Sequence, residues 1–293
     1  MDLKKIINHH SSNFSKIDNK FLNDLHNDGY CLIENDRILK WLNKDLDFIK
    51  EHIDKLIKEE GEKAGFEGRE EHFKIGKKFE PNSNRLGNLP NKHEIFRKFV
   101  MFPDILECAF SVIQEEIMFS SSNFREPLKN SGDQRLHIDW LPRKNKNQNF
   151  QSVIAMFYLD DSTFENGAIK VIPKTHKIIG WPDEYLDPYK ENSEIITIPA
   201  KAGSLLIING NLWHKGGNNF NGKRRRIINA TYRSRHLKQG LNQKIYLDKN
   251  IKKIMTEKEK YIFKIRDTDS IQKEKIFGPG KFYREWINTR KIN

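Results

Sequence analysis

Ten histidines occur in the 293-residue chain, and three of them stand two positions before an aspartate: His26/Asp28, His52/Asp54 and His137/Asp139. Two side chains at that spacing converge on one metal ion only where the backbone is extended. On an α-helix, residues i and i+2 point about 200° apart. That removes His52/Asp54, because apolar residues in 38–57 recur three and four apart, as on a helix. His26/Asp28 runs into Gly29 at a helix end and reads as a solvated terminus. His137 and Asp139 lie in Leu136-His-Ile-Asp-Trp140. There, strand alternation projects both to one face and turns Leu136, Ile138 and Trp140 to the other.

A third ligand must come from a distant segment. His214 follows the apolar run SLLIIN and a short turn, just before the flexible Lys-Gly-Gly-Asn. Taken singly, a histidine there reads as a hydrogen-bonded loop residue; the combination changes the reading. Two imidazoles and one carboxylate on one face of an octahedron leave three positions open, the ligand set of non-haem iron(II) oxygenases. Such an iron needs an electron source to activate O2, and 2-oxoglutarate chelates through its keto-acid end. Its far carboxylate calls for a cation. Arg225, eleven residues after His214, offers the planar fork that pairs two-by-two with a carboxylate. Arg224 and Arg226 should face away, as surface or phosphate-contacting groups.

The elements that would position these groups fall into three parts. Residues 1–115 read as mostly helical, with helices over 17–26 and 38–57 around a short strand at 30–33, a long loop over 60–92, and helix again over 93–114, interrupted by Pro103. Residues 116–233 carry short β-branched and aromatic runs between turn residues: IMFSSSNF, QRLHIDW, SVIAMFYL, AIKVI, EIITI, SLLIIN and RRIINATY. That texture predicts an antiparallel sandwich or barrel, and the lack of helix-length spacers disfavours a doubly wound parallel sheet. Residues 234–293 are Lys-rich, with helical patches and aromatics from Phe277 onwards, expected to pack on the outside of the core as part of one domain.

Hydrophobic residues make up 37% of the chain, enough for a sizeable core despite 31% charge. Lys and Arg outnumber Asp and Glu by 52 to 40, a net charge of +12 that suits anionic partners. The lysines are scattered, however, and read as a solvated surface. Cys31 and Cys108 lie in apolar stretches without metal-binding spacing, as small buried hydrophobes. No run of eighteen apolar residues occurs, so the expectation is a cytoplasmic chain with no membrane partner, as a monomer or homodimer.

These residues, in this order, resemble the phytanoyl-CoA dioxygenase family of iron(II)/2-oxoglutarate oxygenases, over roughly residues 116–233. Beyond His137-Ile-Asp139, the segment from Asn166-Gly167 to Pro173-Lys-Thr-His176 is similar to the family's asparagine-glycine, then proline-glycine-serine-histidine, stretch. Ala202-Gly203, His214, Gly217-Asn218 and Arg225 follow in the family's order. The resemblance implies a double-stranded β-helix, a jelly-roll or cupin-like core among flanking helices, with the metal at its mouth. It also matches Asn123 to a position that contacts 2-oxoglutarate, a structural amide being the equal alternative. Lys174 and Thr175 replace the usual glycine and serine, and Gly216 stands where some members have a serine. His176 reads as ordering its loop, and Asn166-Gly167 as a turn.

The activity implied is oxidation of a substrate C–H bond with release of succinate and CO2, with Fe(II), 2-oxoglutarate and O2 as cofactor and co-substrates. Hydroxylation is the default outcome, with desaturation or cyclisation open to the same chemistry. The substrate expected is a small anionic or amino-acid-like metabolite. Trp140, Arg125 and Phe157 are candidates to face it, though packing accounts for them equally well. Two rivals remain: a nucleic-acid demethylase similar to the AlkB-like repair enzymes, disfavoured by the spacing of Arg225 after His214, and a metal-binding cupin without turnover.

Overall fold

The computed structural model describes residues 16–67 and 82–265. Helix α1 (Asn19–Asp28) starts where the Asp18 carboxylate accepts the Lys20 N–H at 2.9 Å. It stops at Gly29, whose φ of 88° is the left-handed conformation that ends helices. Strand β1 (Tyr30–Ile33) follows as expected. The single helix expected over 38–57 is two, α2 (Arg37–Leu42) and α3 (Leu46–Glu60). Asn43 turns left-handed at φ 51°, and Asp45 restarts the helix by accepting the Phe48 N–H at 2.8 Å. The expected loop over 60–92 contains a strand, β2 (Ser83–Gly87); residues 68–81 of that loop lie outside the described residues. Helices α4 (Glu94–Val100) and α5 (Pro103–Ile113) divide at Pro103, which takes the first position of the second, where its missing N–H costs nothing.

Seven more strands follow: β3 (Ile117–Pro127), β4 (Ser152–Tyr158), β5 (Lys170–Val171), β6 (Ile196–Thr197), β7 (Leu205–Asn209), β8 (His214–Lys215) and β9 (Ile227–Ser234). Every strand pairing is antiparallel. The major sheet has the order β1-β7-β4-β9-β3-β2 and the minor sheet β6-β5-β8, which gives the jelly-roll core with helices on its outside. The run QRLHIDW does not form the strand expected of it. It makes one isolated antiparallel bridge, His137 to His214.

Alternation divides the major sheet into two faces with different work. One side carries Val153, Ala155, Phe157, Leu205, Ile207, Ile228, Ala230 and Tyr232 into a core shared with α1 to α5. The opposite side carries Ile154, Met156, Leu206, Ile208 and Ile227 towards Ile169, Val171 and Ile198 of the minor-sheet layer. Tyr232 fastens the helical layer by donating to the Val100 carbonyl at 2.6 Å. Beyond β9 come the short helices α6 (Gln243–Tyr246), α7 (Lys249–Ile254) and α8 (Glu257–Ile262). Phe263 then sets its ring 4.8 Å from Phe119 of β3. The aromatic stretch expected from Phe277 lies outside the described residues. No helix among the described residues is long and apolar enough to cross a membrane.

Phe157 corrects an expectation. It is fully buried on the helix side, its ring 5.9 Å from that of Phe99, because its parity on β4 is that of Val153 and not of Ile154. It therefore cannot face a substrate. Phe157→Ala should cost about 3–5 kcal/mol of stability through the cavity it leaves. Urea unfolding checks this, and a loss below about 1 kcal/mol would place the ring outside the core.

Candidate metal centre

Two main-chain hydrogen bonds bring the two ligand-bearing segments together: His137 N–H to the His214 carbonyl at 2.9 Å, and His214 N–H to the His137 carbonyl at 3.0 Å. A third, from Asp139 N–H to the Gly210 carbonyl at 2.9 Å, fixes the aspartate beside them. Each imidazole is then oriented from behind. His137 Nδ1 lies 2.9 Å from the Arg135 carbonyl and His214 Nδ1 2.8 Å from the Leu212 carbonyl. A carbonyl only accepts, so in the neutral rings the proton sits on Nδ1 and the Nε2 lone pair is left for a metal. Those Nε2 atoms stand 3.7 and 3.5 Å from the two Asp139 oxygens, and one ligand atom from each residue lies within 4.8 Å of the others. Among the described residues this is the one such group.

Electrostatics suits a cation. Burial, with the charges of His214 and Arg125, pushes His137 down to about 4, so its ring is neutral at physiological pH. Burial raises Asp139, but His214, His137 and Arg233 more than offset it and hold the carboxyl at about 2. His214 is buried, which lowers its pKa, yet the Asp139 carboxylate prevails and raises it. A divalent ion fits this donor set: one fixed negative charge, two lone pairs and no fourth protein ligand among the described residues.

The three residues open onto a cavity of about 230 Å³. Its walls come from residues of one parity: Asn123 and Arg125 of β3, Ile154 and Met156 of β4, and Ile227, Asn229, Thr231 and Arg233 of β9, with Arg225 just before that strand. Arg225 is 2% exposed. Its Nε donates to the Asn166 carbonyl at 3.1 Å while Nη2 is buried without a partner. Burial, with the Arg125 charge, lowers its pKa to about 10, still fully charged. A buried guanidinium with an unmatched donor in a cavity wall fits the far carboxylate of 2-oxoglutarate.

The remaining expected residues divide. Asn123 lines the cavity and accepts a 3.1 Å bond from Asn229. Arg125 lines it and donates to Gln134 at 3.3 Å. Trp140 is not in the wall: it donates to Gln151 at 3.0 Å and lies under the Arg233 guanidinium, 4.0 Å from its ring centre. Arg226 is corrected from a surface group to a buried ion pair, while Arg224 stays exposed, as expected, and is ion-paired at the surface. Arg226 grips Asp160 two-by-two at 2.8 and 2.7 Å, and Arg224 grips Asp54 at 2.8 and 2.6 Å and also pairs with Glu126. The discarded His52/Asp54 motif is thereby explained.

His176 bonds to the His26 carbonyl at 3.1 Å, away from the cavity. Lys174 takes a left-handed φ of 69°, which accounts for glycine at that family position. Thr175 keeps the neighbouring serine's hydroxyl, donating to Ile172 O at 2.7 Å and accepting from Trp213 N–H at 3.0 Å. A Cβ on Gly216 would stand 2.8 Å from the Gly132 carbonyl, so no serine fits there. Gln134, Asn229, Thr231 and Arg233 line the cavity unforeseen. Counting in twos from Arg225 along β9 would have found three of them.

A profile of the family described as phytanoyl-CoA dioxygenase matches residues 25–227. The chain is 27% identical to "Dioxygenase af480" of Aspergillus fumigatus over 189 residues, which are 60% of this chain; it spans 57% of that relative's length. In fold it is similar to HygX from Streptomyces hygroscopicus, solved with nickel and 2-oxoglutarate bound. The TM-score is 0.55 at 12% identity, over 76% of this chain and 90% of that one. It is also similar to EctD from S. alaskensis with bound Fe, with a TM-score of 0.56 at 15% identity, over 76% of this chain and 78% of that one.

The raised pKa of His214 sets a sign for pH dependence. In the metal-free chain His214 keeps its proton to a higher pH than the ordinary 6.5, and metal binding must release it. Fe(II) affinity, measured anaerobically by calorimetry, should therefore climb about tenfold per pH unit below that raised pKa and level off above it. A flat profile from about pH 5.5 to 7 would exclude His214 as a ligand.

Proposed function

The chain belongs to the phytanoyl-CoA dioxygenase family, and on that premise we propose that it hydroxylates a C–H bond of a small metabolite, with Fe(II), 2-oxoglutarate and O2. The observation that carries this reading is the pairing, in one cavity, of a His-Asp-His ligand set with a buried, partly unmatched Arg225 guanidinium. The reaction is balanced: 2-oxoglutarate and O2 are consumed, one oxygen atom goes into succinate and one into the substrate hydroxyl, and CO2 leaves.

His137, Asp139 and His214 would hold the metal on one face. A ferrous ion held there, with 2-oxoglutarate, would supply the oxidising chemistry. Arg225 would bind the far carboxylate, its fork aimed by the Nε bond to Asn166, so that the keto-acid end reaches the ligand set. Asn166 is itself held by Thr163 and Asp161, whose backbone groups meet its side-chain amide at 2.7 Å each. Ile154, Met156, Ile169 and Ile227 would keep bulk water from the reacting centre. Asp139 would neutralise part of the metal charge, and its presence argues against halogenation, which calls for a site without that carboxylate. The cavity is smaller than the roughly 300–1,000 Å³ common for ligand pockets. That favours a small metabolite over a base flipped out of a nucleic acid.

With Fe(II) and 2-oxoglutarate, wild-type protein should form succinate even without primary substrate, and Asp139→Ala should abolish it. Arg225→Gln should weaken 2-oxoglutarate by about tenfold to 150-fold, the loss of a charge-assisted contact of about 1.5–3 kcal/mol. If wild type leaves 2-oxoglutarate intact and does not bind it, the proposal fails.

A further inference from the structure

Two sets of arginines on the folded chain contrast. Arg37, Arg224 and Arg226 each close two-by-two on a carboxylate. Arg225 and Arg233 lie in the cavity wall and meet no carboxylate among the described residues. Around the candidate metal centre, a divalent ion and Arg225 would balance the single charge of Asp139 and the double charge of 2-oxoglutarate. Arg233 feels the Asp139 carboxylate that the ion would engage but contacts no carboxylate of its own, and Arg85 and Arg125 in the same wall have the same sign.

Position separates Arg233 from Arg225. Ile227, Asn229, Thr231 and Arg233 follow one another on the cavity side of β9, a span on the order of 20 Å. Arg225 therefore stands at one end of this stripe and Arg233 at the other. Arg233 is also held in place. Its guanidinium lies 4.0 Å above the Trp140 ring, Trp140 is pinned by Gln151 at 3.0 Å, and Nη1 reaches the Lys238 carbonyl at 3.4 Å. Its Nε is buried with no hydrogen-bond partner. Trp140 directly follows the metal-ligand candidate Asp139, so the held guanidinium sits beside the reacting centre.

Resting on the co-substrate role of Arg225, we propose that Arg233 is the specificity-determining residue for the primary substrate. It receives an oxyanion of that substrate, a carboxylate or a phosphate, at the Asp139–Trp140 end of the cavity. A half-buried planar fork with one buried donor unmatched selects for such a group, since a substrate lacking it leaves that donor unpaired. Trp140 is then a positioning residue, acting through Arg233.

The test titrates acetate and, separately, inorganic phosphate into the nickel- and 2-oxoglutarate-saturated chain by calorimetry, with R233Q, R233K and R225Q alongside wild type. One equivalent of at least one anion should bind to wild type. That affinity should fall about tenfold or more in R233Q and recover in part in R233K. The 2-oxoglutarate affinity of R233Q should stay within about twofold of wild type, which also shows that the variant is folded. The preferred anion tells carboxylate from phosphate. Equal anion binding by wild type and R233Q, or none by wild type, overturns the assignment while leaving the co-substrate reading intact. A loss of 2-oxoglutarate affinity in R233Q as large as in R225Q places Arg233 on the co-substrate and also overturns it. Failure of wild type to bind 2-oxoglutarate overturns both readings.

Discussion

The site depends on one short piece of backbone pairing. His137 and His214 are 77 positions apart in the chain and exchange both main-chain hydrogen bonds, at 2.9 and 3.0 Å, although the segment of His137 belongs to no regular strand. Without that bridge the two rings have no reason to meet, and a metal would have to organise the chain around itself. With it, the imidazole centres stand 4.4 Å apart before any ion arrives, each ring steered by a carbonyl two residues earlier in the sequence. Rigid backbone thus meets the cost of ordering the ligands in advance.

Parity on the strands does the rest. One face of β4 and β9 packs against helices and stabilises the fold, and the other faces the cavity. The same alternation separates neighbouring arginines. Arg224 and Arg226 serve as struts, tying α3 through Asp54 to the strands, while Arg225 between them turns inward. Three consecutive guanidiniums thus act differently because successive side chains of an extended chain point to opposite sides. The struts satisfy every charge they bury; the inward residue keeps a donor unmatched, which costs stability unless a ligand completes it.

Much of this was legible in the sequence, for identifiable reasons. The spacing of His137 and Asp139 excludes a helix whether or not the segment joins a sheet, so the inference survived the absence of a regular strand. The antiparallel core was readable from the short β-branched runs. Parity was not readable in SVIAMFYL, which is apolar on both sides: Phe157 and Met156 look equally suited to either face until a partner layer chooses. Strand β2 escaped notice because Ser-Asn-Arg-Leu-Gly carries turn residues; only its pairing with β3 makes it a strand. The break between α2 and α3 turned on Asn43, a residue tolerant of left-handed backbone inside an otherwise helical pattern.

The central claim is that His137, Asp139 and His214 share one ferrous ion. Anomalous diffraction at the iron edge, from crystals grown anaerobically with Fe(II), tests it most directly. The account predicts a single strong peak bonded to both Nε2 atoms and one Asp139 oxygen, with no fourth protein ligand. A peak held by other residues, or no peak between these three, would contradict it.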